Sequence, residues 1–174
     1  MIEEKIKNDT SLINKYPIFE VMYNNDGTKK TFFELASERD IKETQIKSDE
    51  NELDFLFSQN KITKEEYNKS KEELEFKLNN QNIVYNDLIF DLISKEELVD
   101  LKKEIENADL NDIDLKRLAS SLELIAESKI EEFQNNNKEF KEQNITEWNK
   151  KYNIIAQSYA KTRELEGFIL SKIE

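Results

Sequence analysis

Residues 115–125 read Leu-Lys-Arg-Leu-Ala-Ser-Ser-Leu-Glu-Leu-Ile, and this stretch decides the fold class. Its apolar residues Leu115, Leu118, Leu122 and Ile125 are spaced three or four residues apart, which places them on one face of an α-helix. Apart from Ala119 and Leu124, the remaining positions hold lysine, arginine, serine and glutamate. The stretch therefore predicts an amphipathic helix that buries a single narrow seam.

Two neighbouring stretches repeat this spacing. They are Leu98, Leu101, Ile105 and Ala108 before the first stretch, and Ile145, Trp148, Tyr152, Ile155, Tyr159 and Ile169 after it. We expect an interruption near residues 135–137, where three asparagines follow one another. Either Thr146 caps the last helix, or the helix continues through it. The C-terminal half thus predicts three helices packed along apolar seams.

The composition supports an all-α, or nearly all-α, fold. The chain of 174 residues contains two glycines and one proline, and 37% of its residues are charged. Long helices need neither glycine nor proline, whereas tight turns between strands need glycine. We predict an elongated helical bundle of coiled-coil-like antiparallel hairpins. It divides into an N-terminal segment at 1–33, a helical hairpin at 34–80 and a bundle at 81–174.

One segment allows a small β-hairpin, at residues 18–33. Pro17 precedes Ile-Phe-Glu-Val-Met-Tyr, a run rich in residues that favour strands. Asp26-Gly27 follows, a dipeptide typical of hairpin turns.

The predicted hairpin at 34–80 turns at Asn60-Lys61. Thr63-Lys-Glu-Glu66 has the pattern of a capping box at the start of its second helix. Leu53, Leu56, the run from Asn60 to Tyr67, Lys71 and Leu74 together resemble the SHOCT-type helical hairpin, although that family often has glycine where Asn60-Lys61 stands. The resemblance spans residues 53–74; it implies a helical hairpin and no particular activity.

Segments within this hairpin and after it are expected to differ in burial. Residues 40–52 carry few apolar side chains and are expected to project into solvent. The second helix is expected to fade at Asn79-Asn80. Residues 82–93 then form a separate, buried helix, and Ser94-Lys-Glu-Glu97 is a second predicted capping box.

The missing residue types narrow the possible chemistry. The chain has no cysteine and no histidine, which removes thiolate sites and the commonest general base. Its two glycines exclude a glycine-rich phosphate loop. We therefore expect no enzyme, no catalytic residue, no metal and no cofactor. The alternative is a Mg²⁺ site between Glu72-x-x-Glu75 and Glu97-x-x-Asp100, an arrangement similar to that of MazG-type nucleotide pyrophosphohydrolases.

The charge distribution suggests a protein partner. Residues 88–132 hold thirteen acids and six bases, whereas residues 133–174 hold six acids and seven bases. An acidic surface repels a nucleic-acid backbone and attracts a basic protein surface. Tryptophan and tyrosine commonly anchor interfaces. The predicted partner-binding residues are Asp100, Glu104, Asp109, Asp112, Asp114, Trp148, Tyr152 and Tyr159.

The leading hypothesis is an adaptor, chaperone or assembly factor that binds protein, and a homodimer is allowed. The alternative is a phage- or plasmid-encoded inhibitor, similar to anti-CRISPR proteins, that occupies the basic nucleic-acid groove of a host defence protein. Twenty-three lysines against three arginines, with many asparagines and isoleucines, suggest a low-GC bacterium or its phage. No signal-peptide pattern and no run of about 20 apolar residues is present, so we expect a cytoplasmic protein with no membrane contact.

Overall fold

The computed structural model describes residues 2–174 and confirms the all-α fold, with no strand in that range. A 3₁₀ helix at Thr10–Lys15 accompanies the α-helices. The α-helices are α1 (Ile2–Asn8), α2 (Pro17–Met22), α3 (Phe32–Ser58), α4 (Lys64–Lys95), α5 (Leu98–Asn107), α6 (Asp112–Asn136), α7 (Lys138–Gln143) and α8 (Ile145–Ser171).

The chain forms two compact units. The first contains the residues up to Lys30 together with Glu34–Leu88, and the second contains Thr31–Phe33 together with Ile89–Glu174. Among residues 2–174, no helix combines the length and the apolar character that crossing a lipid bilayer requires.

The strands that the sequence allowed at 18–33 do not form. Pro17 occupies the first turn of α2, where its fixed φ suits a helix and its missing N–H costs no hydrogen bond. The Asp26-Gly27 turn does form: the Gly27 amide donates to the Asn24 carbonyl at 2.9 Å, and Gly27 has a φ of 84°. One isolated bridge joins Tyr23 to Lys29. A helix thus replaces the first strand, and Ile6, Ile13 and Tyr23 are buried in a small core.

The predicted helical hairpin forms from α3 and α4 in the first unit. Its capping box is confirmed: the Thr63 amide donates to Glu66 Oε2 at 2.8 Å, and the Glu66 amide donates to Thr63 Oγ1 at 3.1 Å. Asn60 lies in the turn between α3 and α4 and has a φ of 54°, a conformation that asparagine tolerates better than most residues. An asparagine can therefore stand where the SHOCT-type hairpin often has glycine.

Side-chain contacts show that α3 and α4 run antiparallel. Phe57 stacks on Tyr67 at 4.5 Å between ring centroids near the turn. Far from the turn, Arg39 Nη1 donates to Asn86 Oδ1 at 2.7 Å. Ile46 is only 2% exposed, so the expectation that residues 40–52 project into solvent is wrong at this position.

The predicted end of the second helix at Asn79-Asn80 is also wrong, because α4 continues without a break to Lys95. Asparagine costs at most about 0.7 kcal/mol per position in a helix, too little to end one whose apolar face continues to Tyr85. The capping box predicted at Ser94–Glu97 does not form. Ser94 lies in the last turn of α4, where its hydroxyl donates to the Phe90 carbonyl at 2.7 Å.

In the second unit, α5 and α6 both pack against α8. The seam residues of α6 are buried as predicted, including Leu122 and Ile125 at 0% exposure. Leu165 and Ile169 of α8 are also at 0%. Burial of such a side chain contributes about 1.5–3 kcal/mol relative to leaving it exposed.

The interruption expected near residues 135–137 is present, because α6 ends at Asn136. The cap of α8 is Asn144 rather than Thr146, since the Asn144 side chain accepts from the Glu147 amide at 3.2 Å.

Candidate protein-binding surface

Three of the predicted acidic residues lie together at the corner between α5 and α6. Asp109 follows α5 with a φ of 51°, and Asp112 and Asp114 stand in the first turn of α6. The Asn111 side chain caps this helix by accepting from the Asp114 amide at 2.9 Å. Carboxylates are favourable at a helix N-terminus, and all three aspartates are exposed.

The other two predicted acids, Asp100 and Glu104, lie one turn apart on α5. Asp100 is exposed and Glu104 is half-buried. Between α5 and the end of α8 is a shallow depression of about 250 Å³ that Glu106, Asp109 and Lys172 help to line. Lys172 pairs with Glu106 at 3.2 Å across it, so part of this acidic charge is already neutralised.

The aromatic residues predicted on α8 separate into two places. Trp148 is 7% exposed and stacks on Tyr152, with 4.9 Å between the ring centroids. Phe133, near the end of α6, lies 5.8 Å from the Trp148 ring. Tyr159 instead donates its hydroxyl to Glu127 Oε1 at 2.7 Å, and this hydrogen bond raises the pKa of Tyr159.

The predicted partner-binding residues therefore do not form one patch. Asp112 and Asp114 begin α6, whereas Phe133, which contacts Trp148, is near its other end. At 1.5 Å per residue the two groups are about 30 Å apart along the helix.

Between these two ends is a charged cluster that the sequence analysis missed. Arg163 Nη1 lies 3.3 Å from Glu166 Oε2, 3.6 Å from Glu123 Oε1 and 3.7 Å from Glu127 Oε1. One guanidinium is therefore shared among three carboxylates. We call these four residues the Arg163 cluster.

The carboxylates of the Arg163 cluster differ in exposure. The side chains of Glu123 and Glu127 are 57% and 56% exposed, whereas that of Glu166 is 10% exposed. Burial raises the pKa of Glu166; Arg163 opposes this shift, and the charges of Glu123 and Glu127 add to it. The cluster thus has a buried carboxylate at its base and two accessible carboxylates at its rim, with more negative than positive charge.

Two sequence signals mark the two halves of this cluster, although not their meeting. Glu123 and Glu127 are four residues apart on one predicted helix, and Arg163 and Glu166 are three apart on another, so each pair shares a helix face. Only the packing of α6 against α8 brings the two pairs together.

No group of three or more carboxylates within residues 2–174 has an arrangement that could hold a metal ion. The four carboxylates considered for Mg²⁺ therefore form no such group; they are Glu72, Glu75, Glu97 and Asp100.

No protein-family model, curated protein or solved structure matches this chain.

Proposed function

We propose that the chain is a non-enzymatic protein-binding protein that engages a basic surface of another protein through the α6–α8 face around the Arg163 cluster. The observation that carries this proposal is the imbalance of charge in the cluster. Glu123 and Glu127 share a single guanidinium with Glu166 and remain more than half exposed. Their free lone pairs can accept hydrogen bonds from a lysine or arginine of a partner.

An apolar side chain accompanies the two carboxylates. Leu124 stands between Glu123 and Glu127 in the chain and is 59% exposed. Interfaces commonly combine an apolar centre with a polar rim, and a partner that covers Leu124 would also bring its basic groups to the glutamates.

The exposed aspartates at the start of α6 add to the negative charge of the same helix but lie outside the proposed contact. A single exposed ion pair stabilises a complex by only about 0–1 kcal/mol. Several such pairs across one face still accelerate association and select partners of opposite charge. We therefore expect binding that weakens as salt screens these charges.

The experiment compares two double variants with equal loss of charge. Glu123→Gln with Glu127→Gln changes the Arg163 cluster, and Asp112→Asn with Asp114→Asn changes the start of the same helix. Each protein is immobilised and exposed to lysate of the organism that encodes the chain, and the captured proteins are identified by mass spectrometry. Affinity for the purified partner is then measured by calorimetry at low and high salt.

The proposal predicts one dominant partner that the glutamine variant loses and the asparagine variant largely keeps. Equal retention by both variants would exclude the Arg163 cluster as the binding surface. If the captured partner normally binds nucleic acid through the surface that this chain covers, the chain is an inhibitor of that protein. A partner without such activity would indicate that the chain is an adaptor or assembly factor.

A further inference from the structure

The Trp148 indole is covered by side chains of the second unit. Tyr152 stacks on the ring with an interplanar angle of 10°. The Lys141 ammonium lies 4.4 Å from the centroid of the same ring.

The Lys141 ammonium therefore occupies a cation site on the face of one aromatic ring, Trp148. The electron-rich face of tryptophan is the most favourable one for a cation, within about 6 Å of the ring centroid. Phe133, at 5.8 Å from the Trp148 ring and 6.2 Å from the Tyr152 ring, closes the cluster on the α6 side. In the free chain, the site is occupied by the protein's own lysine.

The indole N–H provides a second, independent observation. Trp148 is 7% exposed, and no residue between 2 and 174 accepts a hydrogen bond from its Nε1. A buried donor without an acceptor is unusual because it has lost its hydrogen bond to water without replacement. A bound group that carries a carbonyl oxygen could satisfy it.

The helix that carries Lys141 is suited to moving away. α7 is six residues long, none of them buried, and the non-helical residues Asn137 and Asn144 flank it. Short exposed segments with few buried contacts open at low cost in free energy. Within the described chain, Lys141 meets an aromatic ring rather than a carboxylate, so no ion pair must break when it leaves.

We propose that the Trp148 ring, held in place by Tyr152 and Phe133, is a binding site for a lysine or arginine side chain of a partner protein, and that Lys141 occupies this site until the partner's cation replaces it. This inference rests on the proposed function, because it assumes a protein partner with a basic surface. Under this inference, the start of α8 around Trp148 binds one basic side chain of the partner. This site is separate from the Arg163 cluster.

Trp148 is the only tryptophan in the chain, so its fluorescence reports on this site alone. The probe is N-acetyl-lysine methylamide, which supplies an ammonium and carbonyl oxygens. N-acetyl-norleucine methylamide is its uncharged counterpart, and sodium chloride controls for ionic strength. Tetramethylammonium chloride tests whether any small cation suffices. The proteins are the wild type, Lys141→Ala and the control Lys138→Ala on the same helix.

We expect the lysine probe to change Trp148 emission saturably. Lys141→Ala should lower the half-saturating concentration about three- to tenfold, because the competing cation is gone. Lys138→Ala should leave it unchanged, and the norleucine probe should have no saturable effect. Lys141→Met, which keeps an unbranched side chain without charge, serves as a second variant if Lys141→Ala alters the circular dichroism.

Two results would overturn the inference. One is a lysine response that is absent, or equal in the wild type and both Lys141 variants. The other is a response to tetramethylammonium without a response to the lysine probe, which would make the ligand a small quaternary amine. Capture of a partner through Glu123 and Glu127 with no lysine response would refute this inference alone and leave the proposed function standing.

Discussion

Tyr85 should make the stability of the first unit depend on alkaline pH. This side chain is 2% exposed and its hydroxyl donates to Glu38 Oε2 at 3.2 Å. Burial, together with the charge of Glu38 and the hydrogen bond to it, raises the pKa of Tyr85 to about 12 from an ordinary 10.0. Lys30, which pairs with Glu38 at 2.7 Å, only partly opposes this shift.

The magnitude follows from proton linkage. Between pH 10 and 12 the unfolded tyrosine has lost its proton while the folded one retains it, so the stabilisation present below pH 10 is lost as pH rises. Two pKa units at about 1.4 kcal/mol each give a loss of about 3 kcal/mol over that window.

Tyr85→Phe removes this dependence together with one hydrogen bond to a charged group. At pH 8 the free energy of unfolding of the variant should be about 1.5–3 kcal/mol lower than that of the wild type. As the pH rises above 10 the wild type loses stability that the variant keeps, so this difference should shrink by about 2 kcal/mol by pH 11.5. The assay is urea denaturation, followed by circular dichroism at half-unit steps from pH 8 to 11.5.

The control is Ile46→Val, a buried change in the same unit that should cost about 0.5–1.5 kcal/mol and contains no ionisable group. Its difference from the wild type should stay constant over the whole range. A constant difference for Tyr85→Phe as well would refute the reasoning, since it would mean that Tyr85 ionises equally in both states.

Three further predictions concern single substitutions, each measured by urea denaturation. Leu122→Ala should cost about 2–5 kcal/mol because the side chain is fully buried, whereas Leu124→Ala, 59% exposed on the same helix, should change stability by less than about 0.5 kcal/mol; similar losses would contradict the packing of α6 on α8. Thr63→Ala should cost about 1 kcal/mol by removing the confirmed cap of α4, and an unchanged midpoint would show that the cap contributes nothing. Burial raises the pKa of Glu166 above the ordinary 4.5 in the folded state, so the wild type should lose stability relative to Glu166→Gln as the pH rises from about 4.5, and parallel curves would contradict this.

The parts of the fold that depend on local sequence were predictable. The three- and four-residue spacing in α6 placed Leu115 to Ile125 on a buried seam, and the pattern Thr63-x-x-Glu66 specified a cap that forms through its own two side chains. Both signals act within a few residues, so the rest of the chain is not needed to interpret them.

The errors arose where packing overrides local preference. Residues 18–22 favour strands in isolation, but Pro17 starts a helix there and the opposing segment contributes a single bridge. Asn79-Asn80 weakens α4 locally, yet the apolar positions on either side keep the helix continuous. A residue's propensity is worth tenths of a kcal/mol, whereas a buried seam is worth several.

The candidate site was harder to predict than the fold because it depends on which residues meet. The acidic residues of the middle helices are evident from the sequence, but nothing within α6 alone indicates that Arg163 would lie beside Glu123 and Glu127. The spacing of Trp148 and Tyr159 suggested one continuous stripe, whereas the structure gives them different neighbours. These pairings require the register between two helices, which periodicity does not specify.

The α3–α4 hairpin should also influence how fast the protein folds. Its stacked rings, Phe57 and Tyr67, are separated by a short turn, and closing a loop of about ten residues takes about 10–100 ns. Once these rings are in contact, the two helices can pair progressively away from the turn, as far as the hydrogen bond between Arg39 and Asn86. No further long loop has to close for this pairing. Proteins dominated by such local contacts fold in microseconds to milliseconds. On the ribosome, this hairpin can therefore form while the residues of α5 to α8 are still being synthesised.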